Sequence, residues 1–90
     1  MKSIYKYILE PIEEQEISLP KGAKILTAHE QHGRICIWAL VTVPETEIEE
    51  RVICIYGTGD QFSEEGIHTY IGTVFLQDGN YVFHVFEKEG

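Results

Sequence analysis

The chain predicts an all-β fold, a small antiparallel sheet of about six strands forming a partly open barrel or a two-layer sandwich. Three observations carry that prediction. Nearly every apolar run is short, rich in β-branched or aromatic residues, and bounded by Gly, Pro, Asp or Asn. No segment keeps a helical stripe for more than a turn or two, Phe62–Gly66 being the only short candidate. Finally, Asp78-Gly79 separates two such runs, and both central positions of a type I′ hairpin turn need positive φ. With 90 residues, 43% of them hydrophobic, the chain is expected to form a single domain over residues 1–90 around a thin core.

The elements follow in order. Ser3–Leu9 reads as a first strand, stopped by Pro11, and Glu16–Leu19 as a short piece before the turn Pro20-Lys21-Gly22. Lys24–Gln31 and Arg34–Val43 flank His32-Gly33, a two-residue hairpin turn. Ile35–Val41 is apolar at every position, so this strand is expected at the centre of the sheet and buried on both faces. Pro44–Glu50 is an acidic loop, Arg51–Tyr56 the next strand, and Gly57–His68 a glycine-rich acidic stretch. Tyr70–Gln77 and Asn80–Glu87 close an antiparallel meander. Unpaired edges and more aromatics than a thin core conceals, Tyr5, Phe75 and Tyr81 among them, predict a homo-oligomer.

Acids outnumber bases 15 to 7, for a net charge of −8, which works against nucleic-acid binding. The imbalance is local. Residues 1–34 hold five bases and five acids, whereas residues 35–90 hold two bases against ten acids. The cations available to an anion are therefore Lys2, Lys6, Lys21, Lys24, Arg34 and Arg51, mostly in the first third. Lysines on exposed strands also have a plainer role, blunting edge-to-edge aggregation. No stretch of about 18 apolar residues occurs, so no membrane association is expected. Cys36 and Cys54 lie inside apolar runs and read as buried reduced thiols, suited to a cytoplasmic protein, rather than as a disulfide framework.

Signals for chemistry are sparse. Gly57-Thr58-Gly59-Asp60 follows a strand, and successive N–H groups in such a turn can cradle an anion. It is neither a P-loop nor a dinucleotide fingerprint, and a chain reversal also accounts for its glycines. His29, His32, His68 and His84 lack metal-ligand spacing, so no metal site is expected. His84, between Phe83 and Val85, reads as a half-buried ring held by hydrogen bonds. Ser3, Ser18 and Ser63 sit in no nucleophile elbow, and neither cysteine has a flanking base. The expectation is a protein that is not an enzyme and uses no cofactor.

Six blocks occur in order along the chain: Ile4–Tyr7, Leu19–Leu26, Trp38–Val41, Ile55–Gly59, Tyr70–Val74 and Val82–Glu87. Together they resemble a family of small bacteriophage and prophage proteins known as a domain of unknown function. The resemblance implies a phage protein acting in the host bacterial cytoplasm, and it supplies no catalytic residues. By analogy with other small phage accessory proteins, the expected role is to sequester a small anionic ligand, most concretely a nucleotide second messenger of host defence. The expected ligand-binding residues are Tyr5, Lys6, Lys24, Arg34, Tyr56, Gly57, Thr58 and Gly59. The alternative is an acidic adaptor that binds a host protein through its carboxylate-rich loops.

Overall fold

In the computed structural model, which describes residues Met1–Gly90, seven strands and no helix are formed: β1 (Lys2–Leu9), β2 (Glu14–Pro20), β3 (Lys24–Gln31), β4 (Arg34–Thr42), β5 (Ile48–Gly57), β6 (Ile67–Leu76) and β7 (Tyr81–Glu89). Sheet A has the order β1-β4-β3, and sheet B the order β2-β5-β7-β6. Every pairing is antiparallel. The piece expected at Glu16–Leu19 is a full seven-residue strand, which raises the count from about six to seven.

The topology is not a meander. Only β3–β4 and β6–β7 are hairpins of neighbouring strands, and β1 to β2, β2 to β3 and β4 to β5 each cross between the sheets. Residues from both layers meet in one core: Leu9, Ala28, Ile35 and Ile37 from sheet A against Ile53, Ile55, Val74 and Val85 from sheet B. Leu19, Ala23, Ala39 and Val41 fill a second cluster. The architecture is thus the sandwich of the two expected alternatives, without a closed barrel.

Strand β4 is central in sheet A, as its apolar run requires, yet its two faces differ. Ile35, Ile37, Ala39 and Val41 are buried against sheet B, while on the outer face Cys36 is buried and Trp38 and Leu40 only partly so. A three-stranded sheet with no third layer cannot cover that outer face, and this corrects the expectation of burial on both sides. The cysteines are free and buried. Cys36 shares the outer face of sheet A with its cross-strand partner Ile8, and Cys54 shares the outer face of sheet B with Phe86, so the two thiols lie on opposite sides.

The turns follow local chemistry. Ala23 donates its N–H to the Pro20 carbonyl at 3.1 Å, and Gly22 at φ 79° supplies the positive φ that a type II turn demands. His32 and Gly33 both take positive φ in their two-residue turn. The last hairpin differs from expectation. Its loop is Gln77-Asp78-Gly79-Asn80, with Leu76 opposite Tyr81 and positive φ at Gln77, Asp78 and Gly79. Phe62–Gly66 forms no helix and lies in the irregular β5–β6 connection. Where the edge strands β3 and β6 approach, Gly72 leaves little room for a side chain: a Cβ there would meet the Ala28 carbonyl oxygen at 3.2 Å and its amide nitrogen at 3.3 Å.

Candidate functional site

The site emerges from asking which charges the fold leaves unpaired. Arg51 is held by Glu87, Nη2 donating to Oε1 at 2.9 Å and Nε to Oε2, while Nη1 donates to the Ala23 carbonyl (2.9 Å) and to Glu49 (3.0 Å). The Glu87 hydrogen bonds hold the guanidinium above its ordinary pKa, so it stays a fixed cation. Lys21 pairs with Glu47 at 3.0 Å, Lys88 with Glu14 at 3.3 Å, and Arg34 approaches Glu10 at 4.0 Å. Three bases have no carboxylate partner: Lys2, Lys6 and Lys24. Lys2 donates instead to Thr42 Oγ1 at 2.8 Å, and Lys6 to Gln31 Oε1 at 2.6 Å.

Register places all three on one surface. Residues directly opposite in an antiparallel pair share a face. Lys2 stands opposite Thr42, Ile4 opposite Leu40 and Lys24, Lys6 opposite Trp38 and Thr27, and Ile8 opposite Cys36 and His29. None of these paired outer-face positions of sheet A is a carboxylate. Strand spacings put the three lysine backbones at the corners of a triangle with sides of about 12–13 Å. Leu40 lies within it, Ile4 on its Lys2–Lys6 side, and Trp38 just outside it beside Lys6. The Trp38 ring meets His29 edge-on, with centroids 6.5 Å apart.

The outer face of sheet B is built differently. It carries Glu14, Glu16 and Glu50 at paired positions and an aromatic cluster beside them. Phe62, from the β5–β6 connection, stacks on Tyr56 at 3.8 Å and nearly parallel. Burial beneath that ring, followed by the Cys54 thiol and the charges of Glu13 and Glu14, pushes the Tyr56 phenol well above its ordinary pKa. Its hydroxyl lies 3.3 Å from His68 Nε2. His84 is partly buried and bonded at both nitrogens, to Thr58 Oγ1 (2.7 Å) and Thr73 Oγ1 (3.2 Å). A cleft of about 440 Å³ lies among Phe62, Glu64, Gly66, His68 and Phe86. Its size suits a small ligand. Its one charged side chain is acidic, which disfavours an anion.

The residues expected to bind a ligand therefore divide. Lys6 and Lys24 come together on sheet A, with Arg34 at the far end of β4 next to Gln31. Tyr5 is on the inner face of β1, opposite Ala39. Tyr56 and Gly57 end β5 of sheet B, and Thr58 and Gly59 lie in the turn that follows, away from the lysines. The Gly57–Asp60 turn also holds an anion of its own: Gly57 donates its N–H to the Asp60 carboxylate at 2.7 Å, Asp60 donates back to the Gly57 carbonyl, and Thr58 donates to the Val82 carbonyl. Trp38, assigned from sequence to the core, is the residue that reasoning missed. Lys2 and Lys6 had a readable signal, since a spacing of four puts both on one face of a strand. The position of Lys24 beside them had none.

Fold and site together define a small two-sheet β-sandwich with a basic, apolar outer face on one side and an acidic, aromatic one on the other. The chain belongs to the family described as Domain of unknown function (DUF7352), whose profile matches residues 1–90. No curated protein and no solved structure matches it.

Proposed function

We propose that the protein is a non-catalytic binding module that holds a small anionic ligand on the outer face of sheet A. One observation supports this reading above others. In a chain with about twice as many acids as bases, three lysines without a carboxylate partner share with a tryptophan a face whose surrounding paired positions carry no carboxylate. Such ammonium groups are free to bond phosphate oxygens, and Trp38, Leu40 and Ile4 offer an apolar floor for a planar base. A nucleotide combines both features. The net charge of −8 opposes a long polyanion and so favours a small ligand over nucleic acid. The phage resemblance makes a nucleotide second messenger of host defence the most concrete ligand, sequestered intact in the host cytoplasm.

Titrating Trp38 fluorescence with cyclic nucleotides, cyclic dinucleotides and ADP-ribose derivatives should give saturable quenching. Replacing Lys2, Lys6 and Lys24 together by Ala should weaken binding by at least about tenfold, the equivalent of one charge-assisted hydrogen bond. Binding untouched by that triple change would move the site elsewhere. Absence of quenching and of any thermal shift, with no small molecule released on denaturing the purified protein, would overturn the reading. Glu14, Glu16 and Glu50, together on sheet B, support the second reading of an acidic adaptor for a host protein. Salt-sensitive capture of a host protein, lost when these three become Gln, would support it.

A further inference from the structure

The sandwich has four edge strands, of which β3 and β6 approach one another, and three are blunted in recognisable ways. Strand β2 carries Glu14 and Glu16 on one face and ends in Pro20. The pairing of β3 is broken by a bulge between Ile25 and Thr27, and that of β6 by one between Tyr70 and Gly72. Charged side chains, proline and bulges are the ordinary defences of a sheet edge. Strand β1 has no acid, proline or bulge, and its only guards are Lys2 and Lys6. Its eight residues run in unbroken register with β4, and no backbone hydrogen bond leaves its other edge. Beside those two lysines its exposed side chains are apolar: Ile4 is 58% exposed, Ile8 49% and Tyr5 41%.

We infer that β1 is the seam of a homodimer, paired antiparallel with β1 of a second copy about a two-fold axis at Tyr5. The reason for a second copy, and for this axis, is the spacing of charge along the strand. Lys2 and Lys6 alternate with Ile4 and Ile8 on one face. With the axis at Tyr5, Lys2 stands opposite Ile8 of the partner subunit, and Ile4 opposite Lys6 of the partner subunit. Each lysine stem then covers an isoleucine while its ammonium reaches solvent. On the other face Ser3 meets Tyr7 of the partner subunit, and Tyr5 meets Tyr5 of the partner subunit. An axis at Ile4 would set Lys2 against Lys6 of the partner subunit, and an axis at Lys6 would set lysine against lysine. Like charges directly opposed are destabilising, so the two lysines that protect the edge from promiscuous pairing also exclude the registers on either side, while axes at Ser3 or Tyr7 would pair fewer residues of β1. The product is one six-stranded sheet built from two copies of sheet A. The inference does not rest on the ligand proposed above, although Lys2, Lys6 and Ile4 take part in both.

Two measurements test it. Light scattering at tens of micromolar should report twice the 10.3 kDa chain mass, and Ile4→Lys, which sets lysine opposite lysine across the seam, should return a folded monomer. Tyr5→Cys should form a disulfide-linked dimer under mild oxidation, because opposed residues of paired strands fall within disulfide reach. Ser3→Cys should not, since the axis leaves the two copies of that position at least about 13 Å apart. The native thiols are buried and do not compete. A monomer for the unaltered chain, equal cross-linking of both cysteine variants, or a dimer unaffected by Ile4→Lys would each overturn the inference.

Discussion

Replacing Arg51 by Met should destabilise the protein far more than the loss of an ordinary ion pair. The Arg51 side chain is only 17% exposed and that of Glu87 13%, and their contact is two-pronged. Arg51 also ties the Ala23 carbonyl at the β2–β3 crossing to β7, so it joins three segments at one end of the sandwich. Methionine fills similar volume without charge, leaving the Glu87 carboxylate screened from water and unpartnered. Breaking a buried pair from one side costs about 3–5 kcal/mol. A domain of this size has on the order of 5–13 kcal/mol in total, so the variant should lose about a quarter or more of its stability. Removing both charges, with Arg51→Met and Glu87→Leu together, should recover most of the loss, because no charge is then stranded. Urea unfolding followed by Trp38 fluorescence and circular dichroism measures both. A single-variant loss below about 1 kcal/mol, or a double variant as unstable as the two singles combined, would refute the reasoning.

Two other predictions concern the scaffold. Gly72→Val should cost about 1–3 kcal/mol by forcing β6 away from the Ala28 backbone, visible as a lower melting temperature. Burial raises the phenol pKa of Tyr56, and also that of Tyr7, where nearby Tyr5 adds to it. The folded state therefore holds these protons more tightly than the unfolded chain does. Their contribution is complete below about pH 10 and is lost as pH rises through the folded-state pKa values. Urea unfolding at increasing pH should show stability falling above that point, and Tyr56→Phe should flatten the fall. An unchanged slope in the variant would count against Tyr56 as a cause.

The outer face of Trp38 illustrates how far local reasoning reaches. Seven apolar residues in a row, Ile35–Val41, mark a central strand, and β4 is central. The same run does not say whether a layer covers each face. That depends on how the other strands are shared between two sheets, and with only β1 and β3 beside it, β4 has one covered face and one open. Likewise Gly57-Thr58-Gly59 has the look of an anion cradle, and Asp60, the next residue, occupies the Gly57 donor.

By itself the sequence determined the all-β class and most of the strands, the Pro20–Ala23 and His32-Gly33 turns, the place of the last hairpin though not its four-residue loop, and the burial of both cysteines. Those features depend on side-chain alternation and on φ preferences that act within a few residues. Only the tertiary structure decided that β1 lies beside β4 and β2 beside β5, that Arg51, Lys21 and Lys88 find carboxylates, and that Lys2, Lys6 and Lys24 are left together without one. Pairing of strands distant in sequence sets which charges meet. A shift of one residue in register would turn the lysines of β1 from the outer face to the core.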